Sequence, residues 1–138
     1  MPIRNIAICI LKNDKNQILF QVVEDGEKLF LRCPGGGIEF GETAIEAIHR
    51  EVKEELGVNL IETQQIGVVE SFFEYNSQPL HEIVFVFNGT LSDEFNFGRA
   101  YFELIESNGK VYKAVWKSLK ECREEGWSIV PKDVVHYL

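Results

Sequence analysis

Residues 43–57 predict a capped amphipathic helix, and this segment constrains the fold more than any other. Thr43 and Glu46 have the spacing of a capping box, in which each side chain satisfies a free backbone N–H of the first turn. Apolar residues recur at spacings of three and four, and Gly57 stands where a helix C-cap is expected. The expected buried stripe consists of Ile45, Ile48, Val52 and Leu56.

Three acidic residues lie on one arc of this helix, beside the apolar stripe: Glu51, Glu54 and Glu55. Like charges three or four positions apart cost roughly 0.2–0.5 kcal/mol per pair. Acids in the last turn also face the negative end of the helix dipole. Carboxylate oxygens grouped in this way suit Mg²⁺ or Mn²⁺, whose charge would offset the repulsion. The alternative is a solvated acidic face, so the segment before the helix decides the interpretation.

Pro34 and the glycines 35–37 precede the helix and predict a loop. Gly36 and Gly41 have the spacing of a phosphate-binding P-loop, but Glu42 stands where that motif requires lysine. An anion there would repel phosphate, so a P-loop is excluded. The dinucleotide-binding fingerprint fails as well, because Phe40 occupies a position that requires glycine.

Taken as a whole, the segment 36–58 resembles the Nudix box of the Nudix hydrolases, G-x5-E-x7-R-E-U-x-E-E-x-G-U, in which U is a bulky aliphatic residue. Gly36, Glu42 and the run Arg50-Glu51-Val52-Lys53-Glu54-Glu55-Leu56-Gly57-Val58 match every specified position. The resemblance implies an α/β fold, the Nudix α/β/α sandwich with a mixed β-sheet between helices. It also implies hydrolysis of a nucleoside diphosphate linked to another moiety, with Mg²⁺ or Mn²⁺.

The resemblance assigns roles to individual residues. The metal ligands would be Glu51, Glu54, Glu55 and the carbonyl of Gly35. The catalytic set would be Glu54, Glu55, Arg50 and Glu42, with Glu42 and Arg50 supporting the loop and helix by hydrogen bonds. Glu54 is the preferred general base, and the alternatives on later loops are Asp93, Glu94 and Glu103. Because Arg50 and Glu54 are four positions apart on the helix, their side chains can also pair.

The substrate is less well determined by the sequence. A compact MutT-like enzyme acting on a nucleoside triphosphate is the favoured interpretation. The alternatives are a dinucleoside polyphosphate, ADP-ribose or nucleoside diphosphate sugar, and a non-catalytic nucleotide sensor. The nucleobase of the substrate needs a flat apolar surface to bind. The candidate contacts for it are Trp127, Tyr75 and Phe73. Phe72, Phe97, Tyr101 and Trp116 are further candidates, and packing in the core is the alternative for every one of these aromatic residues.

Composition limits the partners. The 138 residues carry 14 Lys plus Arg against 22 Asp plus Glu, a net charge of −8. This balance argues against a nucleic acid polymer or a membrane as partner. No apolar run is long enough to span a bilayer, and no signal peptide is evident. We therefore expect a single domain over residues 1–138, cytoplasmic, monomeric or homodimeric, that binds a small nucleotide. Three scattered cysteines predict reduced, buried thiols.

Alternating or β-rich runs predict strands, and their interleaving with helices indicates an α/β or α+β class. The predicted strands cover residues 6–11, 18–23, 29–32, 65–75, 82–91 and 110–116. Further helices are expected at 119–125 and from Pro131 to Tyr137.

Overall fold

The strands and helices follow one another in the interleaved order that the sequence predicts. The computed structural model describes residues 2–92, 95, 101–105 and 108–138, without the side chains of residues 101 and 102. The strands are β1 Arg4–Ile10, β2 Ile18–Asp25, β3 Lys28–Arg32, β4 Gly35–Gly37, β5 Leu60–Tyr75, β6 Gln78–Leu91, β7 Tyr101–Ile105, β8 Val111–Lys117 and β9 Ser128–Ile129. The helices are α1 Ala44–Leu56, α2 Leu119–Glu125 and a 3₁₀ helix, Lys132–Tyr137.

The strands form two sheets. One has the order β4-β1-β6-β5 and the other β7-β8-β2-β3-β9. Parallel pairing occurs between β1 and β6 and between β3 and β9, while the other pairs are antiparallel. The expected mixed pairing is therefore confirmed, but it is divided between two sheets, which the strand pattern alone does not predict.

Both faces of β1 are buried, which explains its uninterrupted apolar run. Ala7 and Cys9 pack in a core cluster with Ile48 and Val52 of α1. Ile6, Ile8 and Ile10 pack in a second cluster whose members include Phe20, Val84, Cys122 of α2 and Val134 of the 3₁₀ helix. Helices thus cover opposite sides of the strands, and the α/β/α sandwich is confirmed.

Helix α1 begins and ends as predicted. The Thr43 side chain accepts from the Glu46 N–H, Glu46 reaches back to Thr43, and Gly57 adopts a left-handed conformation with φ of 74°. The predicted buried stripe is wrong at one position, because Ile45 is 44% exposed. The buried face is rotated toward the acids and consists of Ala47, Ile48, Glu51, Val52 and Glu55.

The C-terminal elements are close to the expectation. Helix α2 occupies the predicted residues and also has a capping box, between Ser118 and Glu121. The segment after Pro131 forms a 3₁₀ helix. Strand β5 begins at Leu60, five residues before the predicted start at Gln65.

Three strands are absent from the pattern-based prediction: β4, β7 and β9. Gly35–Gly37 is a strand rather than a loop, paired antiparallel with β1. The sequence pattern also predicts neither β7 nor β9. Cys9, Cys33 and Cys122 are free and buried, as expected. No helix among the described residues is long and apolar enough to span a membrane.

Candidate active site

The glycine strand β4 lies directly against the acidic face of α1. A Cβ added at Gly36 would lie 2.6 Å from the Glu51 Cδ atom, so only glycine allows this approach without displacing the carboxylate. The Gly35 N–H donates to Glu55 Oε1 at 3.3 Å. The absence of side chains at these two glycines therefore allows the carboxylates of Glu51 and Glu55 to pack directly against the strand.

The Arg50 guanidinium joins this strand to the helix. Its Nε and Nη2 atoms donate to the two oxygens of Glu42 at 2.8 and 2.9 Å, a bidentate arrangement. Nη2 also donates to the Gly37 carbonyl at 2.9 Å. Nη1 donates to Glu51 Oε1 at 2.9 Å and lies 3.4 Å from both oxygens of Glu54. The pairing of Arg50 with Glu54 is present but is the longest of these contacts.

These contacts shift the ionisation of the pair. The Arg50 guanidinium, followed by the Glu39 N–H, lowers the pKa of Glu42 to about 2. The Glu42 carboxylate in turn raises the pKa of Arg50. Both groups are therefore charged at any physiological pH, and the link between loop and helix is permanent.

The three acids of the helix differ in exposure. Glu51 and Glu55 are each only 4% exposed, whereas the Glu54 side chain is 35% exposed. Burial of two carboxylates on one helix face is costly unless a cation or hydrogen-bond donors accompany them. Arg50 contributes one such cation, and it contacts Glu51 and Glu54 through a single nitrogen.

The chemistry of this donor set fits a hard divalent cation. Carboxylate oxygens are the preferred ligands of Mg²⁺, which keeps several waters and uses only one or two protein carboxylates with substrate phosphate. Within the described part of the chain, no three His, Cys, Asp or Glu side chains are placed to hold a metal by themselves. A metal ion bound here would therefore need water or phosphate oxygens as additional ligands. Glu51, Glu54 and Glu55 would hold such an ion together with water and phosphate oxygens. The Gly35 carbonyl belongs to the glycine strand β4. Its role as a metal ligand is still only a prediction from the sequence.

The predicted substrate residues line two cavities. Trp127 and Tyr75 line one of about 560 Å³, together with Lys110, Lys113 and Lys117. The Lys117 ammonium lies 5.9 Å from the centre of the Trp127 ring. Phe73 and Tyr75 line a second cavity of about 120 Å³. Tyr75 therefore belongs to both.

The other predicted residues are distributed more widely. Glu103 lies on β7 and is exposed. Trp116 is 6% exposed and packs in the core, while Phe72 is 72% exposed and stacks against His81. Asp93, Glu94 and Phe97 lie outside the described residues, as does the side chain of Tyr101.

Sequence reasoning missed the polar residues of the smaller cavity. Arg4, Gln21, Arg32 and Glu82 line it, and Glu82 is buried although it carries a carboxylate. Arg4 Nη2 lies 4.0 Å from the position of a Cβ at Gly37, so this cavity adjoins the glycine strand. The parallel pairing of β1 with β6 sets Arg4 beside Glu82. A one-dimensional pattern carries no signal for that pairing.

Comparison with known proteins identifies the family. The NUDIX domain family matches residues 1–138, the whole chain. The chain belongs to the NUDIX family. Solved NUDIX structures share the fold: a NUDIX hydrolase from Nitrosomonas europaea has a TM-score of 0.68 at 23% identity, covering 94% of this chain and 82% of that one. A MutT NUDIX hydrolase from Burkholderia pseudomallei has a TM-score of 0.64 at 21% identity, covering 88% of this chain and 87% of that one.

Curated relatives match over shorter stretches of this NUDIX chain. An RNA pyrophosphohydrolase from Ruthia magnifica subsp. Calyptogena magnifica is 30% identical over 79 residues, 56% of this chain and 41% of that protein. An RNA pyrophosphohydrolase from Acinetobacter baylyi is 37% identical over 71 residues, 51% of this chain and 41% of that protein. The matches therefore span about two fifths of the length of these relatives.

Proposed function

We propose that this NUDIX protein is a pyrophosphohydrolase that uses Mg²⁺ or Mn²⁺ to cleave a phosphoanhydride bond of a small nucleotide. The observation that carries the proposal is the position of Arg50. It clamps Glu42 with two hydrogen bonds, holds the Gly37 carbonyl, and contacts Glu51 and Glu54. One side chain thereby fixes the glycine strand and the acidic helix face relative to each other.

A divalent ion bound here would neutralise phosphate charge and favour attack by water on a phosphoanhydride. The residues of the chain supply position and proton transfer. Glu51 and Glu55 are buried and held by Arg50 and the Gly35 N–H, which suits ligands of fixed geometry. Glu54 is the most exposed of the three acids. Since an attacking water must reach the base from solvent, Glu54 is the best placed to accept its proton.

A nucleoside triphosphate is the first substrate class we propose. Phosphate groups at the glycine strand would lie beside Arg4, which adjoins Gly37. The aromatic rings of the smaller cavity, which Arg4 also lines, would then bind the nucleobase. Other compounds contain the same type of phosphoanhydride bond and should be assayed beside the triphosphates. They are dinucleoside polyphosphates, ADP-ribose and nucleoside diphosphate sugars.

RNA with a 5′-triphosphate is a second candidate. The relatives named RNA pyrophosphohydrolase favour it, and so does the larger cavity, where three lysines accompany Trp127 and Tyr75. The net charge of −8 opposes extended contact with a polymer, so only the first nucleotides would be bound.

The test is Glu54→Gln and Glu55→Gln, with release of phosphate or pyrophosphate measured on the nucleotide panel in Mg²⁺. We expect turnover to fall by about 10²–10⁴, the usual contribution of a general base or an equivalent charged group. A rise in melting temperature with Mg²⁺ should also weaken in both variants. The matched control is Glu124→Gln, an exposed glutamate at the corresponding position of α2. Losses smaller than about tenfold in both variants would contradict the assigned roles.

A further inference from the structure

The larger cavity lies outside the hydrolytic site. Its volume of about 560 Å³ is within the range of about 300–1,000 Å³ that is typical for ligand pockets. Most of its described lining residues belong to β2, β3 and β8, and none of them belongs to the glycine strand or to α1. Cleavage of a phosphoanhydride at the acidic helix face therefore makes no use of this cavity.

Trp127 provides a flat ring in the larger cavity, and the orientation of this ring is fixed. The indole Nε1–H donates to Glu125 Oε1 at 3.0 Å. Lys117 Nζ lies 2.7 Å from the same oxygen and 5.9 Å from the centre of the indole ring. The Lys117 side chain is only 18% exposed. Because a largely buried ammonium holds the carboxylate that holds the indole, the ring is pre-organised to stack on a planar ligand.

Apolar side chains in the walls of the larger cavity are exposed. Leu29 and Val111 are 49% and 53% exposed, and both line the cavity together with Trp127. Tyr75 and Tyr112 contribute two further rings. Exposed apolar surface that is grouped in a concave site is typical of a ligand-binding surface. A ligand of this cavity should therefore have a flat apolar body.

The charges of the larger cavity indicate a second property of its ligand. Three lysines line it, Lys110, Lys113 and Lys117, against one carboxylate, Glu24. This local excess of cations contrasts with the net charge of −8 of the whole chain. Lys110 and Lys113 are exposed, and Lys110 Nζ lies 6.0 Å from the centre of the Tyr112 ring, so that cation and aromatic wall are adjacent. A flat ring that carries a phosphate satisfies both properties, and such a molecule is a nucleotide.

We propose that the larger cavity is a second nucleotide site, in which Trp127 stacks on the base and Lys110 and Lys113 bind the phosphate. The site takes no part in bond cleavage. Every base has a face that can stack on an aromatic ring, so stacking tolerates all bases. The site should therefore recognise the phosphate and the planar ring rather than the identity of the base.

The second nucleotide has two sources, a free nucleotide or the neighbouring nucleotide of an RNA end. Tyr75 and Tyr112 line both cavities, so the two cavities share a wall. If the base of the substrate occupies the smaller cavity, as proposed above, the next nucleotide of an RNA end would reach the larger cavity through the ribose 3′ oxygen. The second nucleoside of a dinucleoside polyphosphate would not, because it is attached beyond the phosphates at the glycine strand. This link to the substrate rests on the proposed function, whereas binding of a nucleotide does not.

Quenching of tryptophan fluorescence by AMP, without divalent metal, tests the site. Of the two cavities, Trp127 lines only the larger one, and Trp116 is 6% exposed in the core. We expect AMP to quench saturably and adenosine, which lacks the phosphate, to bind at least about tenfold more weakly. A double variant, Lys110→Ser with Lys113→Ser, should also weaken binding of AMP at least about tenfold. Lys120→Ser, whose side chain on α2 is 81% exposed, is the control and should bind AMP as the wild type does.

Three results would each overturn the inference. They are the absence of saturable quenching by AMP, equal binding of AMP and adenosine, and an unchanged affinity for AMP in the folded double variant. The melting temperature shows whether the double variant is folded. If it is not, the comparison of AMP with adenosine in the wild type decides.

Hydrolysis in Mg²⁺ identifies the source of the nucleotide. A 5′-triphosphorylated dinucleotide and the corresponding nucleoside triphosphate differ by one 3′-linked nucleotide. If that nucleotide occupies the site, kcat/KM for the dinucleotide should be at least about tenfold higher, and the double lysine variant should remove the difference. Equal values in the wild type would assign the site to a free nucleotide. The fluorescence measurement needs no turnover, so failure of the hydrolase proposal in Glu54→Gln would leave the test of the second site intact.

Discussion

The two α-helices carry acids at the same spacing, Glu-x-x-Glu-Glu, yet only those of α1 lie against the glycine strand. In α1 these residues are Glu51, Glu54 and Glu55, and in α2 they are Glu121, Glu124 and Glu125. Both helices also begin with a capping box and end at a left-handed glycine, Gly57 or Gly126. Local sequence rules therefore treat the two segments as nearly equivalent.

The difference lies in the partners of the acids. On α2 each acid has a partner of its own: Gln17 donates to Glu121, Lys120 lies 3.8 Å from Glu124, and Lys117 lies 2.7 Å from Glu125. Hydrogen bonds, from Gln17 to Glu121 and from Lys117 to Glu125, lower the pKa values of these two carboxyls. Each acid of α2 thus has its own hydrogen-bond or ion-pair partner.

On α1, by contrast, Glu51 and Glu54 share one arginine nitrogen, and a strand without side chains covers the face. Two carboxylates of α1 thus share one cation, whereas each carboxylate of α2 has a separate partner. The comparison shows that the triplet spacing alone predicts no function. The glycine strand and the shared Arg50 distinguish the two helices.

Removing the shared arginine should have the largest effect on stability. Arg50→Met leaves Glu51, whose side chain is 5% exposed, without its nearest cation. We expect the free energy of unfolding at pH 7 to fall by about 3 kcal/mol, the lower end of the range for breaking a buried ion pair. Urea unfolding measures it. Lys120→Met on α2 is the control, since its side chain is 81% exposed, and should change stability by about 0.5 kcal/mol or less. Similar losses in the two variants would remove the distinction between the helices.

A side chain on the glycine strand should have a smaller effect on stability and a specific effect on the site. In Gly36→Ala the new Cβ would displace the Glu51 carboxylate, which is the end of a flexible side chain. We expect a loss of about 1 kcal/mol, as for mild overpacking, together with a weaker rise in melting temperature with Mg²⁺.

Gly37→Ala is the matched control on the same strand, because the nearest atom to its Cβ would be Arg4 Nη2 at 4.0 Å. Its melting temperature should respond to Mg²⁺ as the wild type does. An equal response to Mg²⁺ in Gly36→Ala and Gly37→Ala would show that the close approach at Gly36 does not matter for the site.

Much of the fold follows from the sequence because caps and apolar periodicity are local. The starts of α1 and α2 follow from the capping boxes at Thr43 and Ser118, and their ends follow from Gly57 and Gly126. The glycine strand does not, because residues 35–37 have no side chains to alternate and are held by backbone pairing with β1. Ile45 is misassigned because the buried face follows what packs on the helix, and Gly36 admits Glu51 there.

The candidate site divides in the same way. The acids of α1 are visible in the sequence because their spacing is helical, and Glu42 and Arg50 because they fall in the Nudix box. Arg4 and Glu82 are not visible, because a parallel pairing between distant strands brings them together. The sequence thus predicts the part of the site that lies on one continuous segment and misses the part assembled by the sheet.

The pH dependence of stability should report the pairing of Glu42 with Arg50, which joins the loop before α1 to the helix. Arg50 lowers the pKa of Glu42 from its ordinary value of 4.5 to about 2. The folded state therefore favours the ionised form, so this stabilisation is complete above about pH 5 and is lost as the pH falls from there to about 2. The stability difference between wild type and Glu42→Gln should shrink across that window, measured by urea unfolding at intervals of pH. Glu124→Gln, which removes an exposed acid of α2, is the control and should keep the pH dependence that Glu42 contributes. The contrary outcome is a difference in the free energy of unfolding between wild type and Glu42→Gln that is constant from pH 7 to pH 2. It would mean that Arg50 binds the ionised form of Glu42 no more strongly than the protonated form. The contrast between the two helices would then rest on the glycine strand alone.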